Sequence, residues 1–179
     1  MQTSRELALS ILSRVESDRA YTNILLDAEL RASGLDVRDK AFVAELVYGV
    51  LRWRRTLDWY LEQVCNKPLK KTHPWLRHIL RLGGYQLLFL DKIPPSGAIN
   101  ESVKLAGKYS KQSRLPARTA KGFINAALRQ LDRNRDKLQL PDSLSEPISR
   151  LATTYSYPEW LVKRKRDFHG QYRIFATQA

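Results

Sequence analysis

Residues 75–94, WLRHILRLGGYQLLFLDKIP, decide the fold class. Leu76, Ile79, Leu80, Leu87 and Leu88 recur at helical intervals, which places them on one side of an α-helix. Pro74 suits a first helical position, where its missing N–H would have had no partner anyway. Ile93-Pro94-Pro95 breaks the chain at the other end. So apolar a helix belongs at the centre of a core, and Gly83 and Gly84 leave room for another helix to approach closely.

The helical period extends outward in both directions, with no strand-like alternation of useful length. Upstream, Thr3 and Glu6 form a capping box for a helix carrying Leu7, Ile11, Leu12 and Val15. Asn23 is a suitable N-cap for residues 24–32, and Gly34 offers the left-handed stop. Asp36 caps the next helix, whose apolar side is Phe42, Leu46, Val50 and Trp53. Thr56 restarts it with Leu57, Tyr60, Leu61 and Val64. Asn66 to His73, with Pro68, is a polar linker. Downstream, Ser96 caps a helix running to about residue 111, and another spans residues 119–136. Pro141 and Pro147 mark a looser connection, and Pro158-Glu159-Trp160 opens a last short element. The expectation is an all-α chain of seven or eight helices without a fixed-period repeat.

Composition narrows the function. The chain has 179 residues, 31 Lys+Arg against 18 Asp+Glu, and a pI of about 10.1. Residues 1–50 carry a net −2, whereas residues 51–140 carry +13. Such a basic middle fits a polyanionic partner. The single cysteine, Cys65, excludes a disulfide framework and a thiolate metal cage. No G-x-G pair offers a dinucleotide loop. His73, His78 and His169 have neither metal-ligand spacing nor an obvious carboxylate partner. No stretch approaches the ~18 apolar residues of a membrane span, and the N-terminus lacks a signal peptide's apolar core. A cytoplasmic protein with no catalytic activity of its own, no metal and no membrane is expected.

Two helices carry the charge. Around 98–111, Ile99, Val103 and Ala106 form the apolar centre, with Lys104, Lys108 and Lys111 opposite and Glu101 beside them. From 119, Ala120, Ile124, Ala127, Leu128 and Leu131 form the buried stripe. Arg118, Lys121 and Arg129 lie outside, and Phe123 and Asn125 fall at opposite borders. Together with Arg52, Arg54 and Arg55 around Trp53, these helices could contact phosphates and stack bases. The plainer alternative is that Phe123 is core, the lysines are a solvated face, and Asn100 and Asn125 bond across a helix interface.

The segments AINESVKLAGKYS (98–110) and KGFINAALRQL (121–131) resemble a motif pair of the NusB family of all-α RNA-binding proteins. RDKAFVAELVYGVLRWRRTLDWYLEQ (38–63) and the 75–94 segment are similar to the NusB-like N-terminal domain of the bacterial 16S rRNA 5-methylcytosine methyltransferase family (RsmB/Sun/Fmu). The likeness runs over roughly residues 4–164. It implies two three-helix subdomains with a short C-terminal helical extension, and RNA recognition. Carried onto matching positions, Glu101 and Phe123 become RNA-binding candidates, with Arg5, Lys104, Lys108 and Lys121 as phosphate partners; Arg129 joins them from the basic face. IPPSGAINE (93–101) departs from the family's IPAHAAVNE, and NAALR (125–129) from NAVLR, so that Pro95 and Gly97 could alter the helix start.

The resemblance also divides the chain. Residues 1–137 correspond to the NusB-like domain, and 138–164, including YSYPEWLVKR (155–164), to the lead into a methyltransferase region. Residues 165–179 are an atypical tail, and a truncation before the catalytic domain is expected. Such a methyltransferase uses two cysteines and S-adenosylmethionine. Cys65, in QVCNKP, lacks the family's Pro-Cys context and a second cysteine, so no cofactor is expected on this chain. The implied partner is RNA, specifically rRNA, with a methyltransferase catalytic domain or a ribosomal protein as further partners. A free-standing NusB-type transcription antitermination factor and a protein-docking helical module are the alternatives.

Overall fold

The computed structural model describes residues 2–65 and 68–169. Asn66 of the expected linker and residues 170–179 of the expected tail therefore lie outside the described residues. Nine α-helices and no strands occur among the described residues. One compact unit reaches Leu138 and a second begins at Gln139.

The first unit comprises α1 (Ser4–Ser17), α2 (Thr22–Ala32), α3 (Val37–Arg52), α4 (Arg54–Val64), α5 (Pro74–Phe89), α6 (Pro95–Lys108) and α7 (Ala117–Arg133). The apolar stretch that begins at Trp75 lies in α5, which packs against α1, α3, α4, α6 and α7. The two expected three-helix groups are α1–α3 and α5–α7, with α4 resting on α5 and α7 and one continuous core through both. Gly83 makes the crowding at the centre possible. A Cβ there would lie 2.5 Å from Leu128 Cδ1 on α7 and 2.8 Å from Ser102 Oγ on α6. In the second unit, α8 (Pro147–Thr154) packs against α9 (Glu159–His169).

Several helix ends follow the local chemistry read from the sequence. Thr3 Oγ1 accepts from the Glu6 N–H at 3.3 Å, and the Glu6 carboxylate accepts from the Thr3 N–H at 3.1 Å, which completes the capping box. The Asp36 carboxylate accepts from the Asp39 N–H at 2.7 Å. Gly34 adopts φ +64°, the left-handed conformation that ends a helix cheaply only at glycine.

Other ends differ. Asn23 does not cap α2: the Tyr21 carbonyl already accepts from the Leu25 N–H, so Asn23 lies inside the helix. Pro94 and Pro116 take the cap positions of α6 and α7, because their carbonyls accept the first helical bonds from Ala98 and Ala120. Lys111 is off α6, which stops at Lys108 when the Ser110 N–H turns back to the Gly107 carbonyl. Pro147 opens an eight-residue helix where a loose connection was expected; a proline at N1 fits the helix it begins. Asn100 is exposed, and Asn125 accepts from Arg129 Nε on its own helix at 2.9 Å, so neither supplies the cross-helix bond considered above.

An internal charge network ties α1, α4 and α5. Arg81 donates through Nε and Nη2 to the two oxygens of Asp58 at 2.7 and 2.8 Å, and through Nη1 to Glu16 at 3.3 Å. Arg77 also donates to Glu16. His78 does have a carboxylate neighbour, contrary to the sequence reading: its Nε2 lies 3.5 Å from Glu16 Oε2, although neither ring nitrogen makes a hydrogen bond. Burial and the Arg81 charge push the His78 imidazole down to about 4, outweighing Glu16. Burial alone would raise the Glu16 carboxyl, but His78 and Arg77 hold it below its ordinary value.

Candidate nucleic-acid interface

Five of the seven candidate residues meet where α1, α6 and α7 adjoin. The capping box fixes the first turn of α1, and Glu6 then acts across 102 residues of sequence, accepting from Lys108 Nζ at 2.6 Å. Burial would raise the Glu6 carboxyl, but the Lys108 ammonium and the Thr3 N–H hold it below the ordinary carboxylate range. The bond to Glu6 also raises Lys108. Arg5, the adjacent residue, is half-buried. Its Nε donates to Gln86 Oε1 on α5 at 2.7 Å, and its guanidinium stands 5.0 Å from the Phe42 ring centroid on α3. Burial lowers the Arg5 pKa, and the Glu101 charge opposes that, which places Glu101 within electrostatic reach. Glu101 in turn accepts from Lys104 Nζ at 2.7 Å.

Lys121 closes the row from α7. Its stem crosses Gly107 on α6 so tightly that a Cβ at Gly107 would lie 2.2 Å from Lys121 Cε. A side chain at position 107 would displace Lys121 from α6. Arg5, Lys104, Lys108 and Lys121 thus form a row of cations, with Glu6 and Glu101 set among them. Lys104 and Lys108 retain side-chain exposures of 75% and 57%, so both ammonium groups are open to a further anion, although the Glu6 carboxylate that pairs with Lys108 is itself nearly buried. Phosphate oxygens can accept charge-assisted hydrogen bonds from ammonium groups exposed in this way.

Phe123 and Arg129 sit elsewhere. Phe123 is about 200° around α7 from Lys121, on the other flank, and packs half-buried against the core. Arg129 is exposed about 12 Å farther along the axis than Lys121 and donates to Asn125. Glu6, Gln86 and Phe42 were missed in the sequence, although all three shape the row. A glutamine amid the apolar LGGYQLLFL was the one local signal; Gln86 is 1% exposed and its Nε2 donates to the Leu82 carbonyl.

The NusB family's sequence profile matches residues 2–133. That stretch contains α1–α7 and the whole row of cations. The chain belongs to the NusB family. Three relatives extend the match beyond the NusB stretch. "Probable ribosomal RNA small subunit methyltransferase B" of Bacillus subtilis (strain 168) is 37% identical over 169 residues, 93% of this chain and 35% of the relative. The protein of the same description from Synechocystis is 37% identical over 166 residues, 91% of this chain and 35% of the relative. "Ribosomal RNA small subunit methyltransferase B" of Escherichia coli O1:K1 / APEC is 32% identical over 157 residues, 88% and 33% respectively. This NusB-family chain therefore spans about a third of the length of the curated relatives it matches.

Packing accommodates the two departures at the start of α6. Gly97 has no atom within 4 Å of where a Cβ would stand, and Pro95 occupies the first turn of α6, so the helix start tolerates both departures. Cys65 follows α4 as its C-cap residue, and burial with the Glu62 charge pushes its thiol up to about 11. It is thus a protonated packing residue at neutral pH rather than a thiolate nucleophile. Among the described residues, no three His, Cys, Asp or Glu side chains gather as a metal site, and no helix is long and apolar enough to cross a membrane.

Proposed function

We propose that this NusB-family chain is an RNA-binding module, and that its RNA is the small-subunit rRNA on which a cytosine methyltransferase acts. The observation that carries the reading is the row of Arg5, Lys104, Lys108 and Lys121, in which α1 is brought against the consecutive helices α6 and α7 from about ninety residues away in sequence. Exposed lysines on rigid helices, here flanked by the half-buried Arg5, bind a phosphate backbone by charge and counterion release, with little demand on sequence. In this reading the module supplies grip and orientation, and methyl transfer with its S-adenosylmethionine belongs to a catalytic part outside the described residues. The names of the relatives favour this role over a free-standing antitermination factor.

The test is binding of a fluorescent small-subunit rRNA fragment at low salt. Lys104→Glu/Lys108→Glu/Lys121→Glu is expected to weaken binding at least tenfold while leaving the helical spectrum intact. Equal binding by the triple variant would remove the interface, and no binding by the parent would remove the function.

A further inference from the structure

A second site adjoins the row of cations, at a cavity of about 520 Å³ between α2, α3 and α5. That volume lies within the range of small-ligand pockets. Its construction starts at Gly49, where a Cβ would be 2.0 Å from Tyr85 Cζ; the glycine lets the Tyr85 ring lie directly on α3. The Tyr85 hydroxyl donates to Glu45 Oε1 at 2.5 Å, which fixes the ring's outer end. Phe89 stacks on Tyr85 with centroids 5.4 Å apart and on Trp53 at 4.9 Å, so three rings form a rigid wall. Against this wall stand Tyr48, 49% exposed, and Arg52, whose guanidinium lies 5.7 Å from the Trp53 ring centroid.

We propose that this cavity is a subsite for a single unstacked RNA base. Tyr48 supplies the stacking surface against the Trp53–Phe89–Tyr85 wall, the Glu45 carboxylate accepts from N–H groups on the base edge, and Arg52 meets the adjoining phosphate. The proposal rests on the RNA-binding reading and deepens it. A purely apolar docking face would not place a carboxylate and a guanidinium around the rings. Aromatic faces combined with hydrogen-bonding groups are how proteins hold bases splayed from single strands. Continuity with the row of cations supports the same occupant. Arg5 lies over Phe42, one helical turn before Glu45 on α3, and bonds Gln86, the neighbour of Tyr85 on α5. A strand held on α6 and α1 would therefore arrive beside the cavity. A guanine edge, with two adjacent N–H donors, suits the carboxylate best.

The experiment compares the full chain with Tyr48→Ala, Glu45→Gln and the triple lysine variant, each against a guanine-containing single-stranded RNA, the same strand with uracil in place of guanine, and the duplex of the guanine-containing sequence. Half-exposed Tyr48 can be truncated with little effect on packing, which a thermal melt checks. Tyr48→Ala is expected to weaken single-strand binding about tenfold, as loss of one stacked base does, and to leave duplex binding and the salt dependence unchanged. Glu45→Gln is expected to reduce the preference for guanine over uracil at constant duplex affinity. The triple variant loses all three RNAs. Parent-like single-strand binding by Tyr48→Ala, alongside loss in the triple variant, would overturn the base subsite and leave the RNA-binding reading standing. Equal losses by Tyr48→Ala on single strand and duplex would also overturn it. No RNA binding by the parent would overturn both.

Discussion

Between α1, α4 and α5 Arg81 is 6% exposed and closed in by Asp58 and Glu16, whereas on the α1–α6 face the exposed ammonium groups of Lys104 and Lys108 reach Glu101 and the edge-buried Glu6. Both regions join distant parts of the chain through a basic and an acidic side chain, Arg81 with Glu16 and Asp58 inside and Lys108 with Glu6 outside. Glu101 and Lys104, by contrast, are one turn apart on α6. Inside, arginine's planar fork donates two parallel bonds to one carboxylate, a fixed geometry that orients α4 on α5. Outside, each lysine makes a single-point contact that salt screens and another anion can replace. The contrast teaches that basic charge alone does not mark a binding face. Arg77 and Arg81 add to the same basic middle as Lys104 and Lys108 but are committed to the fold.

The largest expected effect tests the inner half of that contrast. Arg81→Leu leaves Asp58 without its bidentate partner and Glu16 with Arg77 as its remaining arginine, and should cost about 3 kcal/mol in urea unfolding, with RNA affinity of the folded protein unchanged. A loss below about 1 kcal/mol would mean the network is dispensable.

Acid should find the same region. His78 is held near 4 in the fold against 6.5 as its ordinary value, so the unfolded chain binds the extra proton first. Stability is then full above about pH 6.5 and falls as pH drops toward 4, by roughly 3 kcal/mol at the acid limit. Glu16, whose pKa is depressed, adds a loss in the same direction at lower pH. Chemical denaturation across this window should show the slope, and His78→Leu should flatten it. An unchanged slope would place the acid sensitivity elsewhere.

Where the two halves touch, at the first turn of α1, effects should be smaller. Thr3→Ala removes the capping bond to the Glu6 N–H and should cost about 1 kcal/mol, seen as a lower melting temperature. Glu6→Gln keeps the reciprocal capping bond but removes the carboxylate charge facing Lys108. It should change stability by less than about 1 kcal/mol and raise RNA affinity a few-fold. Weaker RNA binding by this variant would show that Glu6 positions Lys108 rather than competing with phosphate for it.

Much of the fold was legible because its signals are local. The α5 periodicity, the Thr3–Glu6 capping box, Gly34, and the Gly83-Gly84 pair all act through neighbours a turn away or through an absent Cβ. The candidate face was legible in its residue types, since helical spacing puts Lys104 and Lys108 opposite Ile99 and Ala106. Its connections were not. Glu6 with Lys108, Arg5 with Gln86, and Lys121 over Gly107 join different helices, and no spacing rule encodes which helix lies alongside another. Phe123 shows the same gap: a border position on a helical wheel says nothing about which neighbour the border faces. His78 failed for that reason too, because Glu16, its carboxylate neighbour, belongs to α1. α8 was passed over because a proline was read as a breaker where it begins a helix.

The most direct test of the central claim is the slope of RNA affinity against salt for the parent chain and for Lys104→Glu/Lys108→Glu/Lys121→Glu. If these lysines hold phosphates, binding in the parent should weaken steeply with salt. The triple variant's log–log slope should be shallower by about 2, three contacts at roughly 0.7 each on single-stranded RNA. Parallel slopes, with affinity equal at every salt concentration, would contradict the account.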